Sequence, residues 1–252
     1  MTTTADLERA VTAAGIAAPV RWDEVTGSTN AAALDLARSG APEFALVAAG
    51  HQTQGQGRLG RTWSDRPGQA LMFSVVLRPT LAPETAGLLS LLAGAAMAEA
   101  ASEASGRSIR CKWPNDLLTE DGGKVAGILL ESVVQDRALA HVVMGLGVNL
   151  APPADIEGAA GLGPDIDPMA LLTGFLRRFH AGYHPSEPGF GAEVVRRWTA
   201  VSATLGREVE AARADGSRER GRAAALDERG GLVIETAGGP VTVVFGEIAH
   251  LH

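Results

Sequence analysis

The sequence predicts a two-part fold, in which a larger domain of helices and strands precedes a small antiparallel β-barrel. The 252 residues are enough for one medium domain and a small one, and 46 % of them are hydrophobic, which is sufficient for a packed core. Helical and strand-like patterns alternate in the first part. Beyond it, short β-type runs alternate with turn signals such as Asp215-Gly216. We therefore place the boundary near Leu205, which gives domains of 1–205 and 206–252.

Three helices and three strands are predicted in the first half of the larger domain. Glycine follows the end of each predicted helix, at Gly15, Gly40 and Gly106, and Pro83 begins the longest helix. A polar, glycine-rich loop over 51–68 separates the second strand from the third. Helices are expected over 5–14, 28–38 and 83–105, and strands over 20–25, 44–49 and 71–77.

The second half of the larger domain is predicted to contain a hairpin and two further helices. Only Gln135, Asp136 and Arg137 separate two strand-like runs, which indicates a hairpin. A connector rich in glycine, proline and aspartate covers 152–168. Strands are expected over 109–113, 124–134 and 139–148, helices over 169–180 and 192–204, and barrel strands over 208–212, 220–226, 232–236 and 241–244.

Composition narrows the classes of function. The net charge of -7 and pI of about 5.4 argue against sequence-independent DNA binding, which needs a basic face. The single cysteine, Cys111, has no partner in the chain for a disulfide and favours the cytoplasm. The first ten residues do not resemble a signal peptide. The apolar stretch 86–101 is interrupted by polar residues, and we predict that it is too short and too polar to span a membrane.

The central loop contains a motif with two competing interpretations. Gly55, Gly57 and Gly60 match the G-x-G-x-x-G pattern of dinucleotide-binding proteins. That pattern requires a helix directly after it, because the helix N-terminus holds the pyrophosphate. The following residues have no helical periodicity and end in Pro67-Gly68, so the sequence disfavours a dinucleotide site.

The same loop combines exposed backbone amides with two arginines, Arg58 and Arg61. This combination is typical of an anion-binding site, and Trp63 is placed to cover a bound ligand. An ordinary solvated surface loop is the alternative.

Further polar residues and glycines lie beside the predicted strands. Asn115 and Asp116 follow Pro114 between apolar runs, where a simple β-turn is the alternative interpretation. Lys124 opens a strand in which Gly127 would let a ligand approach the backbone, although the lysine would also be explained by a solvated strand end.

Two more segments complete the pattern. The segment 145–150 is interpreted as a strand interrupted by Gly145 and Gly147 that ends in Asn149. For Ser28-Thr29-Asn30 a simple helix cap is the alternative interpretation. The histidines are scattered, and the sequence contains neither a P-loop nor a nucleophile elbow. The sequence therefore predicts no metal site built from protein ligands alone.

These motifs, in this order, resemble the biotin–protein ligase family, in the form that lacks an N-terminal DNA-binding domain. The resemblance runs from about Arg21 to Leu150 and continues more weakly to the C-terminus. It implies an α+β fold: a mixed β-sheet flanked by helices, similar to class II synthetases, with a small C-terminal SH3-like β-barrel. The segments in register are Ser28-Thr29-Asn30, the glycine/arginine loop, Lys112 to Asp116, Lys124 to Leu129 and Gly147-Val148-Asn149.

The resemblance also implies an activity and a set of site residues. Such an enzyme uses ATP and Mg²⁺ to form biotinyl-5'-AMP, and then transfers biotin to one lysine of the biotin carboxyl carrier domain of a biotin-dependent carboxylase. The implied catalytic residues are Lys124, Arg58 and Asp116. Biotin would contact Ser28, Thr29, Asn30, Gln52, Gly55, Gln56, Gly57, Arg58, Lys124, Gly127 and Ile128. ATP would contact Arg58, Arg61, Trp63, Asn115, Lys124 and Asn149.

Two departures from the family pattern modify these expectations. The family loop usually has arginine where this chain has Gln56. One charged contact is thereby lost, and hydrogen bonds to charged groups contribute roughly 1.5–3 kcal/mol. We therefore expect weaker retention of the adenylate. Too few residues precede the first predicted strand for a winged helix-turn-helix, so nucleic acid is not expected as a partner.

Two alternative functions remain open from the sequence. A lipoate- or octanoyl-protein ligase shares the fold, but its aliphatic substrate does not need polar residues such as Ser28, Thr29 and Gln52. A non-catalytic protein that binds biotin or its adenylate is the other alternative, suggested only by Gln56. Release of pyrophosphate with biotin and ATP distinguishes the enzyme from the binding protein.

Overall fold

A seven-stranded mixed β-sheet organises the larger domain of the computed structural model, which describes residues 2–153, 156–213, 217–244 and 246–251. The strand order is β1-β2-β3-β7-β6-β5-β4; β1 and β2 are parallel, and the other neighbours are antiparallel. The strands are β1 (Val20–Asp23), β2 (Leu46–Ala49), β3 (Ala70–Leu77), β4 (Arg110–Lys112), β5 (Asp116–Leu118), β6 (Lys124–Gln135) and β7 (Ala138–Asn149).

Helices cover both faces of this sheet, as predicted. The helices are α1 (Thr4–Ala13), α2 (Thr29–Arg38), α3 (Gly87–Ser105), α4 (Pro168–Gly182) and α5 (Phe190–Ala200). Side chains of successive strand residues point to opposite faces. On β3, Val75 therefore belongs to the large core with α1, α3, α4 and α5, whereas Val76 packs with Ala33 and Ala37 of α2.

The longest helix, α3, is the centre of the large core. It begins at Gly87, after a single 3-10 turn over Pro83–Thr85, and ends before Gly106, which has the left-handed conformation with φ 64°. By length and composition the segment Pro83–Ser105 is sufficient to cross a membrane, so the expectation that it is too short and too polar was wrong. The segment packs instead against the sheet, α4 and α5, and 67 % of its most apolar window is buried.

The predicted hairpin is formed by β6 and β7, which pair over most of their length. Asp136 and Arg137 connect them with φ values of 51° and 63°, the left-handed conformation that a two-residue hairpin turn requires. Because β6 begins with Lys124 and β7 ends with Asn149, the two motif residues lie at the same end of the hairpin.

The C-terminal part forms a separate five-stranded antiparallel sheet of order β11-β10-β9-β8-β12. Its strands are β8 (Glu208–Arg213), β9 (Arg218–Leu226), β10 (Leu232–Thr236), β11 (Gly239–Val243) and β12 (Gly246–His250). Strands β5 and β12 were not predicted, and the bounds of several other elements differ from the prediction by a few residues. The last helix ends at Ala200 rather than at residue 204, because Val201 and Ala203 hydrogen-bond with Cys111 of β4 instead.

Candidate active site

A cavity lies between the N-terminus of α2, the glycine-rich loop and the glycines of β6 and β7. It brings together most of the residues that the sequence singled out. Twelve of them line it: Ser28, Thr29, Asn30, Gln52, Gln56, Gly57, Arg58, Trp63, Asn115, Lys124, Gly127 and Ile128. Four further lining residues, Leu129, Gly145, Leu146 and Gly147, were not assigned to the site from sequence, although the alternating glycines of β7 marked their strand.

One end of the cavity is polar and is built on the first turn of α2. Oε1 of Gln52 accepts hydrogen bonds from the backbone N–H (2.7 Å) and the hydroxyl (3.1 Å) of Thr29. Ser28 occupies the N-cap position, but its side chain makes no capping hydrogen bond. Helix capping therefore does not account for the Ser28 hydroxyl, which lines the cavity.

A second layer of hydrogen bonds supports this polar end. Oγ of the fully buried Ser74 donates to Oδ1 of Asn30 (2.6 Å) and lies 2.8 Å from Oγ1 of Thr29. Nδ2 of Asn30 donates to Oε2 of Glu131 at 2.7 Å. A side chain at Gly145 would overlap the amide of Asn30. Ser74 and Glu131 were not predicted as site residues, because their contacts with α2 are long-range.

Trp63 covers the middle of the cavity. A Cβ atom at Gly147 would overlap its indole ring, and a Cβ at Gly127 would lie 3.4 Å from Cζ3 of the same ring. The indole Nε1 is buried without a hydrogen-bond partner among the described residues. With the indole in this position the remaining cavity volume is only about 60 Å³. A substrate larger than a few water molecules therefore requires the loop to move.

The opposite end of the cavity is cationic. Nζ of Lys124 lies 2.7 Å from Oδ1 of Asp116, and Nη1 of Arg58 donates to Oδ1 of Asn115 at 3.0 Å. Nδ2 of Asn115 donates to the carbonyl of Ile128 at 2.9 Å, which fixes the amide. Burial lowers the pKa of Arg58 from its usual value, while the carboxylates of Glu247 and Asp116 oppose that shift. This end is suited to binding a carboxylate or phosphate.

The two loop arginines also reach the C-terminal domain. Nη2 of Arg58 donates to the carbonyl of Gly246 at 3.2 Å, and Nη2 of Arg61 pairs with Oε2 of Glu247 at 2.6 Å. Arg61 therefore lies outside the cavity lining in this conformation of the loop.

Three other predicted residues support the cavity without lining it. The carbonyl of Gly55 accepts a hydrogen bond from the backbone N–H of Trp63 at 3.0 Å. Asn149 is buried and donates to the carbonyl of Ala160 at 3.1 Å, so it fixes the backbone beside the start of β6. Asp116 faces a second cavity of about 650 Å³ between β5 and the C-terminal domain, which Lys124 also lines.

No group of three or more histidine, cysteine, aspartate or glutamate side chains in the described part of the chain is arranged to hold a metal ion. Cys111 is buried, and burial raises the pKa of its thiol well above the usual range. This cysteine is therefore suited to packing rather than to nucleophilic catalysis.

Comparison with known proteins identifies the family. Residues 22–149 match the model of the biotin/lipoate A/B protein ligase family, and residues 204–251 match the biotin protein ligase C-terminal domain. The chain is 34 % identical to the biotin–[acetyl-CoA-carboxylase] ligase of Paracoccus denitrificans over 88 % of this chain and 97 % of that relative. It is 33 % identical to the corresponding ligase of Mycobacterium tuberculosis over 90 % of this chain and 86 % of that relative.

The fold agrees with these relationships. A solved structure of the biotin protein ligase from Aquifex aeolicus, in complex with biotin and ATP, covers 92 % of this chain and 99 % of its own with a TM-score of 0.75 at 24 % identity. The chain therefore belongs to the biotin/lipoate A/B protein ligase family, and its relatives in both domains place it among the biotin–protein ligases.

Proposed function

We propose that this chain forms biotinyl-5'-AMP from biotin and ATP and then transfers biotin to one lysine of a biotin carboxyl carrier domain. One observation carries the proposal: a single cavity joins the polar Thr29–Gln52 end to the cationic Lys124–Arg58 end. Biotin has the matching polarity, with a polar ureido ring at one end and a carboxylate at the other.

In the first half-reaction, a carboxylate oxygen of biotin attacks the α-phosphorus of ATP. A carboxyl–phosphate bond forms, the bond from the α-phosphorus to the bridging oxygen breaks, and pyrophosphate leaves. No protein nucleophile is needed, so the contribution of the chain is charge neutralisation and positioning. Lys124 and Arg58 are placed for that role because both cations line the same cavity.

In the second half-reaction, the neutral amine of a carrier lysine attacks the acyl carbon of the adenylate, and AMP leaves. The cavity beyond the Lys124–Asp116 pair offers a route for this lysine, since both residues line it. Among the carboxylates that line this cavity, Asp116 is the one that pairs with Lys124. We therefore assign it to orienting Lys124 and the incoming amine.

Mg²⁺ is part of the same proposal. Magnesium is usually held by one or two carboxylates together with substrate phosphates and water, rather than by a cage of protein ligands. Asp116 fits that pattern, because its carboxylate lies beside the cation that would face the phosphates. The ion would supply further neutralisation of phosphate charge. A cytoplasmic location completes the proposal, as ATP is available there.

A lipoate- or octanoyl-protein ligase would use the same cationic end. Its substrate would leave the hydrogen-bonding groups of Ser28, Thr29 and Gln52 facing an apolar chain, and unpaired buried polar groups are costly. The polar end of the cavity therefore favours biotin.

The test is labelling of a carrier domain by the purified protein with ATP and Mg²⁺, using biotin or lipoate in parallel. We expect a mass increase on one carrier lysine with biotin, accompanied by pyrophosphate release. Self-labelling will give little background, because the chain contains only two lysines, Lys112 and Lys124. Transfer of lipoate but not of biotin would show that lipoate is the substrate. Binding of biotin without pyrophosphate release would make the chain a binding protein.

A further inference from the structure

We propose that His51 and Asp65 are positioning residues that hold Gln52 in the orientation needed to recognise the polar ring of the substrate. The inference rests on the proposed function, since it assigns the means by which the polar end of the cavity is fixed. Neither residue lines that cavity, and neither belongs to the motifs of the sequence analysis.

The carboxylate of Asp65 is fully buried, at 0 % side-chain exposure, and both of its oxygens have partners at the base of the glycine-rich loop. Oδ2 lies 2.9 Å from Nδ1 of His51, and Oδ1 accepts the backbone N–H of Gln52 at 3.2 Å. An ionised carboxylate only accepts hydrogen bonds, so Nδ1 of His51 carries the proton in this pair.

These contacts join the two ends of the glycine-rich loop, which are here called its outgoing arm (residues 51–57) and its returning arm (residues 61–65). The two arms of the loop pair through the N–H of Trp63 with the carbonyl of Gly55 (3.0 Å) and the N–H of Gly57 with the carbonyl of Arg61 (2.7 Å). Asp65 belongs to the returning arm and joins it to His51 and Gln52 of the outgoing arm. The position of Gln52, which lines the cavity, therefore depends on the position of Asp65 in the returning arm.

The outgoing arm is held on its other side by the segment before α2. The N–H of Thr26 donates to the carbonyl of His51 (3.0 Å), and the N–H of Thr53 donates to the carbonyl of Thr26 (2.9 Å). The backbone of Gln52 is thus fixed from two directions, by Thr26 on one side and by Asp65 on the other.

A fixed backbone places the Gln52 side chain within reach of Thr29, and the contact with Thr29 then orients the amide. The N–H of Thr29 can only donate, so the atom 2.7 Å away from it must be Oε1 of Gln52. Nε2 then points the other way, where its partner among the described residues is the thioether of Met72 at 3.4 Å. Sulfur is a weak acceptor, so Nε2 retains donor capacity for a carbonyl oxygen such as that of a ureido group.

A buried carboxylate makes this arrangement sensitive to substitution. Removing one partner of a buried charged group leaves the other without compensation, and the segment then shifts to restore hydrogen bonding. A small shift of Gln52 would misplace its amide relative to Thr29. The loss should therefore concern recognition of the ring, not of the nucleotide.

The experiment compares the KM for biotin with the KM for ATP, measured by pyrophosphate release, in Asp65→Asn, His51→Leu and His51→Asn. Asparagine at 51 keeps an N–H donor near the position of Nδ1, whereas leucine removes it. We expect Asp65→Asn and His51→Leu to raise the KM for biotin about tenfold, with the KM for ATP changed by less than about twofold. His51→Asn should stay close to the wild-type KM for biotin.

The matched control is Asp227→Asn in the C-terminal domain, because Asp227 also holds a turn by accepting two backbone N–H groups, those of Arg229 and Gly231. It should leave the KM for biotin unchanged. An unchanged KM for biotin in both Asp65→Asn and His51→Leu would overturn the inference, as would equal increases for biotin and ATP. If Asp65→Asn does not fold, the comparison of His51→Leu with His51→Asn tests the inference. Failure of the wild-type protein to release pyrophosphate with biotin would instead reject the proposed function.

Discussion

Lys124 forms an ion pair with Asp116, with 2.7 Å between Nζ and Oδ1, at the junction of two cavities. From the sequence alone, Lys124 was either a solvated residue at the end of a strand or a residue that contacts a ligand. Its ammonium group lies 3.4 Å from the position of a Cβ on Gly127, within the cavity that Trp63 covers. The cation is therefore directed at the site and held there by a carboxylate before any substrate binds.

We predict that Lys124→Ala slows adenylate formation at least a hundredfold, about 2.7 kcal/mol in activation free energy, while the fold is retained. The reason is the loss of a cation where negative charge is transferred between carboxylate and phosphate. Single-turnover pyrophosphate release measures the rate, and thermal unfolding measures the fold. The control is Lys112→Ala, the only other lysine of the chain. A near-wild-type rate in Lys124→Ala would exclude Lys124 from the reaction.

The second prediction concerns Gln56, where the resemblance described in the sequence analysis implies an arginine. Gln56 lines the cavity, so an arginine there would face the anionic centre of the adenylate. We expect Gln56→Arg to slow dissociation of pre-formed adenylate about tenfold, in line with one added charge-assisted contact. Added salt should reduce the difference, because Gln56 is exposed.

The matched control for this variant is Gln54→Arg, which adds the same charge to the same loop at an exposed position outside the cavity lining. It should leave the dissociation rate of the adenylate unchanged. An equal effect of both substitutions would indicate a general change in loop charge rather than a contact made by residue 56.

The fold was predictable where local signals are strong. Gly40 and Gly106 mark the ends of α2 and α3, and the Asp136–Arg137 turn marks the long hairpin. Strand β5 was missed because it has only three residues and begins at Asp116, the last residue of a turn-like Pro-Asn-Asp segment. Strand β12 was missed because Gly246–His250 contains a single β-branched residue, Ile248, and so lacks a strand-like pattern.

The residues of the cavity were predictable from the order of motifs, but their supporting contacts were not. The bonds of Ser74 to Asn30 and of Arg61 to Glu247 join residues 44 and 186 positions apart. Pairs so distant leave no periodic pattern in a single sequence. The roles assigned to individual site residues remain predictions, which the substitutions described here test.

The third prediction tests the packing of Trp63 on Gly147. A methyl group at position 147 would overlap the indole ring, so Gly147→Ala should displace Trp63 from the cavity. We expect the indole ring to become more exposed to solvent in the substrate-free variant, because it can no longer pack on the strand. Quenching of tryptophan fluorescence by iodide should increase, since Trp113 and Trp198 are buried in the core and the half-buried Trp22 lies on β1, away from the substitution.

Gly87→Ala provides the control, as no atom lies within 4 Å of a Cβ added at that position. It should leave quenching unchanged. Quenching in Gly147→Ala equal to that of the wild type would mean that Trp63 does not pack on Gly147 in the substrate-free protein.

The fourth prediction concerns the effect of pH on stability through His141. This side chain is buried in β7, its Nε2 has no partner among the described residues, and burial together with Arg78 and Arg38 lowers its pKa below the ordinary 6.5. Between the lowered and the ordinary pKa the unfolded chain binds the proton more readily than the folded protein. The free energy of unfolding should therefore decrease as the pH falls below about 6.5.

His141→Leu should remove this contribution, so that the difference in melting temperature between pH 7.5 and pH 5.5 becomes smaller than in the wild type. The control is His184→Leu, because His184 is an exposed residue on the surface after α4. A pH dependence that is identical in His141→Leu and the wild type would assign the acid sensitivity to other groups.

The last prediction concerns the contact between the glycine-rich loop and the C-terminal domain. Arg61 pairs with Glu247 of β12, while the neighbouring Arg58 donates to the carbonyl of Gly246. Glu247→Gln weakens the first contact and leaves the second, so the loop should open more often. Trypsin cleaves after arginine, and we expect it to cut the substrate-free variant within the loop several times faster than the wild type. Glu210→Gln is the matched control, since Glu210 has the same side-chain exposure of 32 % and pairs with Arg218 within the C-terminal domain. Equal cleavage of the loop in wild type and Glu247→Gln would show that β12 does not hold it closed.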